Sequence, residues 1–349
     1  MKPQYFIAIL FVAAAYWMFL LYQPFLMNII IAALLAMSTS NIQRKLEYFT
    51  HSALFSAIVS SILLAVLIFA PLGYFLTTFT LWLNTLDPEI IEKIYITIRG
   101  WIADVPPILE SFKPYLNDAI EQVQISSIAA KALVIATTVG SYSAKFVKSA
   151  MLIIIFYFFA QYHGKTIFRF IKKVIQLPSQ DTTLLGFELS SVMNVVFYSI
   201  ITTAVLEGAL FGIAVSFMGY NGLFFGIMYG FVSLLPVVGG VLMWLPFIIY
   251  EVTLGHTGNA IFIALYSIIV ISIVADTFVK PLIIKEIHMR LIKSQTKINE
   301  LLIFFAIIAG LTTFGFWGMI LGPAITAFFM ALLKLIEQRK DLYDQKSRI

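Results

Sequence analysis

Charged side chains inside long apolar segments are the residues of this sequence that could do chemistry. Asp276 lies in "ISIVADTFVKP" (271–281), one helical turn before Lys280, which Pro281 follows. An ionisable side chain in such a segment is costly, so it is by default a candidate for a transport or proton-binding site. Lys280, at the i+4 position, could instead form a structural ion pair with Asp276 at the membrane interface. Both interpretations remain open.

Glu207 is the second candidate, in "AVLEGAL" (204–210). It lies in the middle of an apolar run with no charged neighbour, and only Gly208 beside it gives it space. This position predicts either a proton-binding role or a polar contact with another helix or subunit. Thr277, next to Asp276, completes the polar candidates.

Glycine and proline interrupt two further apolar runs. A backbone that leaves the helix at membrane depth must be shielded or must line a cavity, because its free N–H and C=O groups have no water to bind. Transporters use such broken helices to present backbone groups to a substrate. Proline kinks that serve only helix packing are the alternative. The predicted pathway residues at the two breaks are Pro236, Gly239, Gly240, Gly315, Gly318, Gly322 and Pro323.

Enzyme and cofactor motifs are not found. The sequence contains no H-E-x-x-H, G-x-S-x-G or Walker pattern, and it has no cysteine. Its four histidines, His51, His163, His256 and His288, have no partner at i+4. We therefore expect no catalytic residues, no metal site and no cofactor. Any transport would be secondary or channel-like rather than driven by ATP hydrolysis on this chain.

The elements that must position these residues are membrane helices. Of the 349 residues, 60% are hydrophobic and 12% are charged, far from the composition of soluble domains. The fold class predicted is an all-α polytopic membrane protein in a lipid bilayer. The net charge of +5 is explained by positively charged cytoplasmic loops, and nucleic-acid binding is not expected. The apolar runs are 5–22, 24–37, 52–80, 147–162, 196–218, 222–254, 259–280 and 300–336.

Charge placement predicts the topology. The runs 222–254 and 300–336 are too long for single straight spans and carry central breaks, so each is predicted to fold back as a hairpin. With cytoplasmic N and C termini, this arrangement keeps the Lys and Arg clusters inside and the segments 81–146 and 253–259 outside. The expected architecture is about six full spans plus two broken or re-entrant hairpins.

The predicted organisation has five parts. They are the N-terminal spans (1–80), an external amphipathic helical segment (81–146), a span with a cytoplasmic interfacial helix (147–195), a span–hairpin–span–hairpin transport core (196–336) and a cytoplasmic tail (337–349). The core reads as one span-plus-hairpin unit used twice, in inverted orientation. The external segment is expected to lie on the membrane or on a neighbouring subunit, which favours a homo-oligomer.

Three motifs in order resemble the autoinducer-2 exporter family of bacterial inner-membrane permeases. They are "LLPVVGG" (234–240), "ADTFVKPLII" (275–284) and "FGFWGMILGPAITAF" (314–328). The resemblance implies a multi-pass protein of the bacterial inner membrane, with export of a furanone-type signal or sodium or potassium/proton antiport among the family's functions. Thr277 stands where the family commonly has Asn, and Glu207 where it commonly has Gln. An acidic Glu207 favours cation or proton coupling.

Three functions follow as expectations. The first is a secondary transporter or permease that exports a small polar metabolite or signalling molecule along a pathway lined by the broken hairpins. The second is a sodium or potassium/proton antiporter. The third, of another class, is a non-transporting membrane scaffold in which the glycine and proline breaks serve helix packing.

Overall fold

The computed structural model describes residues 3–85, 88–104, 110, 113–121, 128–175, 179–235, 239–291 and 300–346. Every regular element in these ranges is helical, which confirms the all-α class. Six helical segments in this part of the chain are long and apolar enough to cross a membrane, so the protein is a multi-pass membrane protein. These segments are Tyr5–Ser38, Ala53–Phe79, Ala144–Val174, Leu185–Phe217, Thr257–Ile283 and Gly318–Glu337.

The first of these segments differs from its prediction. Helix α1 (Pro3–Tyr22) continues through a 3₁₀ turn at Gln23–Phe25 into α2 (Leu26–Ser38). The backbone stays in the right-handed helical region at Tyr22, Phe25 and Leu26, so the chain does not reverse at Pro24. The runs 5–22 and 24–37 therefore form one 34-residue apolar segment rather than two crossings. A proline in a 3₁₀ turn loses one backbone hydrogen bond without forcing a turn of the chain.

The chain divides into two compact units. The first unit comprises Met1–Val66, Val147–Phe197 and Ser294–Ile349, and the second comprises Leu67–Phe146 and Tyr198–Lys293. This division cuts across the predicted core 196–336, because the two hairpins fall in different units. Each unit is described by itself below.

Buried polar side chains join the helices of the first unit. The hydroxyl oxygens of Thr39, which precedes α3 (Ser40–Thr50), and Tyr157 in α7 (Ile128–Ile175) lie 2.7 Å apart, and the Gln161 amide donates to both at 2.9 Å. In the same unit, α13 (Glu300–Phe314) and α14 (Gly318–Lys346) pack against each other as an antiparallel pair. Hydrogen bonds between apolar helices stabilise their packing in a membrane.

Small residues set the packing of the second unit. Helix α8 (Ser179–Phe217), which begins in the first unit, approaches α9 (Gly222–Val232) so closely that a Cβ atom on Gly208 would lie 2.5 Å from the Gly226 carbonyl oxygen. A Cβ atom on Gly230 would lie 2.6 Å from the carbonyl oxygen of Ala204. Small residues four apart on facing helices let the backbones touch.

The second unit contains an antiparallel helix pair at the position of the first predicted hairpin. Helix α9 ends at Val232, a turn follows at 233–235, and α10 (Gly239–Thr253) runs back along α9. Phe247 of α10 meets Phe225 of α9 with ring centroids 5.2 Å apart, each about ten residues from the turn. Eleven residues of α9 span about 16 Å, roughly half of a hydrocarbon core.

The last segment of the second unit changes helix type along its length. Helix α11 (Thr257–Tyr266) continues as a π-helical segment at Ser267–Val279 and then as α12 (Lys280–Leu291). Wider π-helical turns inside α-helices are frequent at functional sites. This segment carries Asp276 and Thr277.

Two predicted parts of the chain fold differently. In the segment 81–146, α4 (Ala53–Thr85) extends beyond residue 80, and α5 (Pro88–Ala103) packs on α10 of the same chain, with α6 (Lys113–Glu121) after it. The stretch 163–195 is not a separate interfacial helix, because α7 continues to Ile175 and α8 begins at Ser179. Continuous helix satisfies the backbone groups that an extra break would leave free.

Candidate functional site

Glu207, Asp276 and Lys280 meet in the second unit. The Lys280 Nζ atom lies 3.2 Å from Glu207 Oε1 and 3.4 Å from Asp276 Oδ1. Glu207 is only 5% exposed, whereas the Asp276 and Lys280 side chains are partly exposed. Glu207 comes from α8 and Lys280 from the start of α12, 73 positions later in the sequence. Asp276 pairs with Lys280, as the structural interpretation predicts, and the same ammonium reaches the buried Glu207. The transport or proton-binding role of these residues stays a prediction.

The charges of this cluster do not balance among themselves. It contains two carboxyl groups and one ammonium group, and each carboxyl group lies within 3.4 Å of that ammonium. When both carboxyl groups are ionised, the cluster carries one net negative charge. A proton or a monovalent cation would neutralise that charge in surroundings where unpaired charge is costly.

Thr277 and Pro281 lie beside the cluster without joining it. The Thr277 hydroxyl group donates to the Ser272 carbonyl oxygen at 3.4 Å, and its side chain is exposed. Pro281 is exposed where the π-helical segment passes into α12, and it removes one backbone donor from this continuous helix. The predicted role of these two residues in the pathway stays a prediction.

Tyr229 links the cluster to the hairpin, and the sequence reasoning missed it. Its side chain is 1% exposed and stacks on Phe211, one helical turn after Glu207, with ring centroids 4.6 Å apart. A tyrosine in an apolar run looks like ordinary core in the sequence, and only its position opposite Gly240 marks it out.

Gly240, at the start of α10, lies close to the Tyr229 side chain. A Cβ atom on Gly240 would lie 2.7 Å from the Tyr229 hydroxyl oxygen, and one on Gly239 would collide with the Val232 carbonyl oxygen. Gly239 and Gly240 form the first turn of α10, whose N–H groups have no partner within the helix. Pro236 lies outside the described residues.

The residues predicted at the second break belong to the first unit, where they lie between two closely packed helices. Their role in a pathway stays a prediction. Gly315, with φ +67°, reverses the chain between α13 and α14. A Cβ atom on Gly318 would collide with the Gly310 carbonyl oxygen, and one on Gly322 with that of Ala306. Pro323 lies in the first turns of α14. Within the described residues, no ionisable cluster like that of Glu207 accompanies these glycines.

Comparison with known proteins identifies the family. A family model described as AI-2E family transporter matches residues 5–338. The chain belongs to the AI-2E transporter family. The match confirms the resemblance carried by the three sequence motifs, and it makes this AI-2E chain a membrane transport protein or permease.

Individual relatives agree with this assignment. Two proteins named as candidate transport proteins, from Helicobacter pylori strains J99 and 26695, are 36% and 38% identical over 347 and 351 residues, and each alignment covers 99% of both chains. A relative of the same description from Treponema pallidum is 33% identical over 119 residues, which cover 32% of the AI-2E chain and 26% of the relative.

Proposed function

We propose that this AI-2E chain is a secondary transporter that exchanges protons for sodium or potassium ions, with the Glu207–Asp276–Lys280 cluster as its coupling site. The observation that carries the proposal is the contact of Lys280 with two carboxyl groups, one of them buried in a membrane-spanning helix. Two carboxylates facing one ammonium leave one negative charge, and a proton and a monovalent cation can compete for it.

The mechanism follows from this competition. When a proton neutralises one carboxyl group, Lys280 is sufficient to balance the other. When that proton leaves, the free carboxylate takes a monovalent cation, since carboxylate oxygens suit hard cations. Binding of one therefore releases the other, which is the requirement for exchange.

Proteoliposomes test the coupling directly. Vesicles with an acidic interior and an internal pH indicator should lose their pH gradient when sodium or potassium is added outside. Glu207→Gln and Asp276→Asn should each abolish this response while leaving the protein folded.

Glu47→Gln is the matched control. Glu47 pairs with Lys165 at 2.7 Å on an exposed surface of the first unit, so the variant removes an equal charge and breaks an ion pair elsewhere. Its exchange should equal that of the wild type. Unchanged exchange in both Glu207→Gln and Asp276→Asn would refute the coupling role.

Export of a small polar metabolite or signalling molecule is the second candidate. It is supported by the first turn of α10, where a Cβ atom on Gly240 would lie 2.7 Å from the Tyr229 hydroxyl oxygen. A panel of polar solutes loaded into the same vesicles separates the candidates, because solute efflux without a response to sodium or potassium favours export. Absence of both activities would favour the third expectation, a non-transporting membrane scaffold.

Cellular setting and assembly belong to the same proposal. We place the chain in the bacterial inner membrane, as a homo-oligomer. Membrane fractionation tests the first statement, and chemical cross-linking in native membranes tests the second.

A further inference from the structure

A second ionisable cluster lies in the second unit, at the end of the α9–α10 hairpin opposite its turn. Glu251, in the last turn of α10, is fully buried at 0% exposure. Its carboxyl group accepts hydrogen bonds from the Tyr220 hydroxyl group and, at 2.8 Å, from the Asn259 amide. His256 Nδ1 lies 3.4 Å from Glu251 Oε2. None of these residues belongs to the Glu207 cluster.

Helices α8 and α10 end in the same way, and these two endings place Tyr220 and His256 beside Glu251. After α8, Gly219 has φ +87°, and its N–H group donates to the Ser216 carbonyl oxygen at 3.0 Å. The Tyr220 N–H group donates to the Val215 carbonyl oxygen at 3.2 Å. After α10, Gly255 repeats this arrangement with φ +80°, and the His256 N–H bonds the Glu251 carbonyl at 2.9 Å.

This double bond pattern is the Schellman motif, and it fixes the residue that follows the glycine. Tyr220 and His256 occupy that same position after two different helices. Both side chains converge on one carboxyl group, so the beginning and the end of the hairpin are tied together there.

The Glu251 cluster combines one buried group, Glu251, with one accessible group, His256. Glu251 depends on its donors, because a buried carboxylate without them is very costly. The His256 side chain is 55% exposed and can exchange protons with solvent. Burial, followed by the adjacent Glu251, raises the pKa of Tyr220, so this hydroxyl group stays a donor at neutral pH.

Neighbouring elements add few charges here. Helices α9 and α11 contain no charged residue, and α10 adds only Tyr250, whose ring centroid lies 6.4 Å from that of Tyr220. The π-helical segment, which also touches α10, carries Asp276. Helix α5 contacts this end of α10 through Thr97, 3.4 Å from Thr253. The titratable residues of α5 are Glu89, Glu92, Lys93, Tyr95 and Arg99.

We propose that Glu251 and His256 form a proton-binding clasp that holds the base of the α9–α10 hairpin closed under acidic conditions. Protonated His256 completes an ion pair with the buried carboxylate, and neutral His256 does not. Protonation gives the His256 imidazole its positive charge, so the clasp is tighter at acidic pH and looser at alkaline pH. This inference does not depend on which substrate the protein carries.

The absence of cysteine from the sequence makes a distance measurement straightforward. Phe217 is 83% exposed, and a Cβ atom on Gly258 would meet nothing within 4 Å, so Phe217→Cys and Gly258→Cys accept spin labels on either side of the cluster. Pulsed electron spin resonance at about pH 5 and about pH 8 gives the distribution of distances between the labels, across the interval in which histidine titrates. The distribution should be narrow at acidic pH and broader at alkaline pH.

Two variants and a control decide the outcome. His256→Gln should lose the pH dependence and show the broad distribution at both pH values. Glu251→Gln, if it folds, should be broad at both pH values as well. His163→Gln removes another exposed histidine, in the first unit, and should keep the wild-type response. A pH-independent wild type, or an unchanged pH response in His256→Gln, overturns the proposal.

Discussion

At the residue scale, the contact between Gly240 and Tyr229 makes the sharpest prediction. Gly240→Ala places a methyl group 2.7 Å from the Tyr229 hydroxyl oxygen, so either the buried Tyr229 side chain or the first turn of α10 must shift. We expect transport to fall and the free energy of unfolding to drop by about 1–3 kcal/mol, as for overpacked cores. Flux in proteoliposomes and thermal unfolding in detergent measure the two effects.

A second substitution checks the cause. Tyr229→Phe removes the hydroxyl oxygen while the nearest ring carbon stays at an ordinary 3.6 Å from the added methyl group. The double variant should therefore recover much of the stability that Gly240→Ala loses. Gly100→Ala, in α5 with open space around it, is the control and should not destabilise the protein. Failure of the double variant to recover would place the strain elsewhere.

Lys280 makes a prediction about charge balance. Lys280→Met leaves Glu207 and Asp276 facing each other without their shared cation, and we expect a clear fall in the midpoint of thermal unfolding. Adding Glu207→Gln should restore part of it, with a coupling of about 0.5–3 kcal/mol between contacting residues. Additive effects of the two substitutions would show that the ion pair is not energetically coupled.

The sequence predicted the members of this cluster and, as one alternative, the contact of Asp276 with Lys280, but not the contact of Lys280 with Glu207. Glu207, Asp276 and Lys280 stand out because charge is rare in apolar runs. Their meeting depends on how α8 packs near α12, which no local pattern encodes. Glu251 escaped notice because it lies near the end of its run, next to a polar turn, where a carboxylate normally reaches water.

At the element scale, the glycines between α8 and α9 make a second test. Gly208→Ala gains about 0.5–1 kcal/mol in helix propensity. The new Cβ atom would lie 2.5 Å from a backbone oxygen, which cannot rotate away as a side-chain atom can. The steric cost should prevail, and thermal unfolding in detergent should occur at a lower temperature. Gly73→Ala in α4, where nothing lies within 4 Å, should be neutral or stabilising. Equal behaviour of the two variants would contradict the packing.

Helix breaks were predicted better than helix continuity. The interruptions before Gly239 and at Gly315 both occur, because the sequence there combines glycine with an apolar run too long for one span. The runs 5–22 and 24–37 were predicted as separate spans, yet a proline can occupy a 3₁₀ turn between two nearly continuous helices. The local sequence does not distinguish these outcomes.

At the scale of the whole molecule, this continuity changes the expected topology. The 34 residues of Tyr5–Ser38 extend for about 51 Å, enough for one tilted crossing. We expect single cysteines at Tyr5 and Lys45 to react with a membrane-impermeant maleimide from opposite sides. The exposed Gly258→Cys serves as a reference for labelling. Reaction of both positions from one side would restore the predicted pair of crossings with a cytoplasmic N terminus.

The shared carboxyl group of Glu251 also has a consequence for how the protein is made. Its donors come from both directions along the chain, from Tyr220 before the hairpin and from His256 and Asn259 after it. A ribosome that has just completed α10 has not yet supplied the later two. Integration of this hairpin is therefore complete only when α11 emerges, and a chain truncated at residue 254 should be a preferred substrate for membrane quality-control proteases.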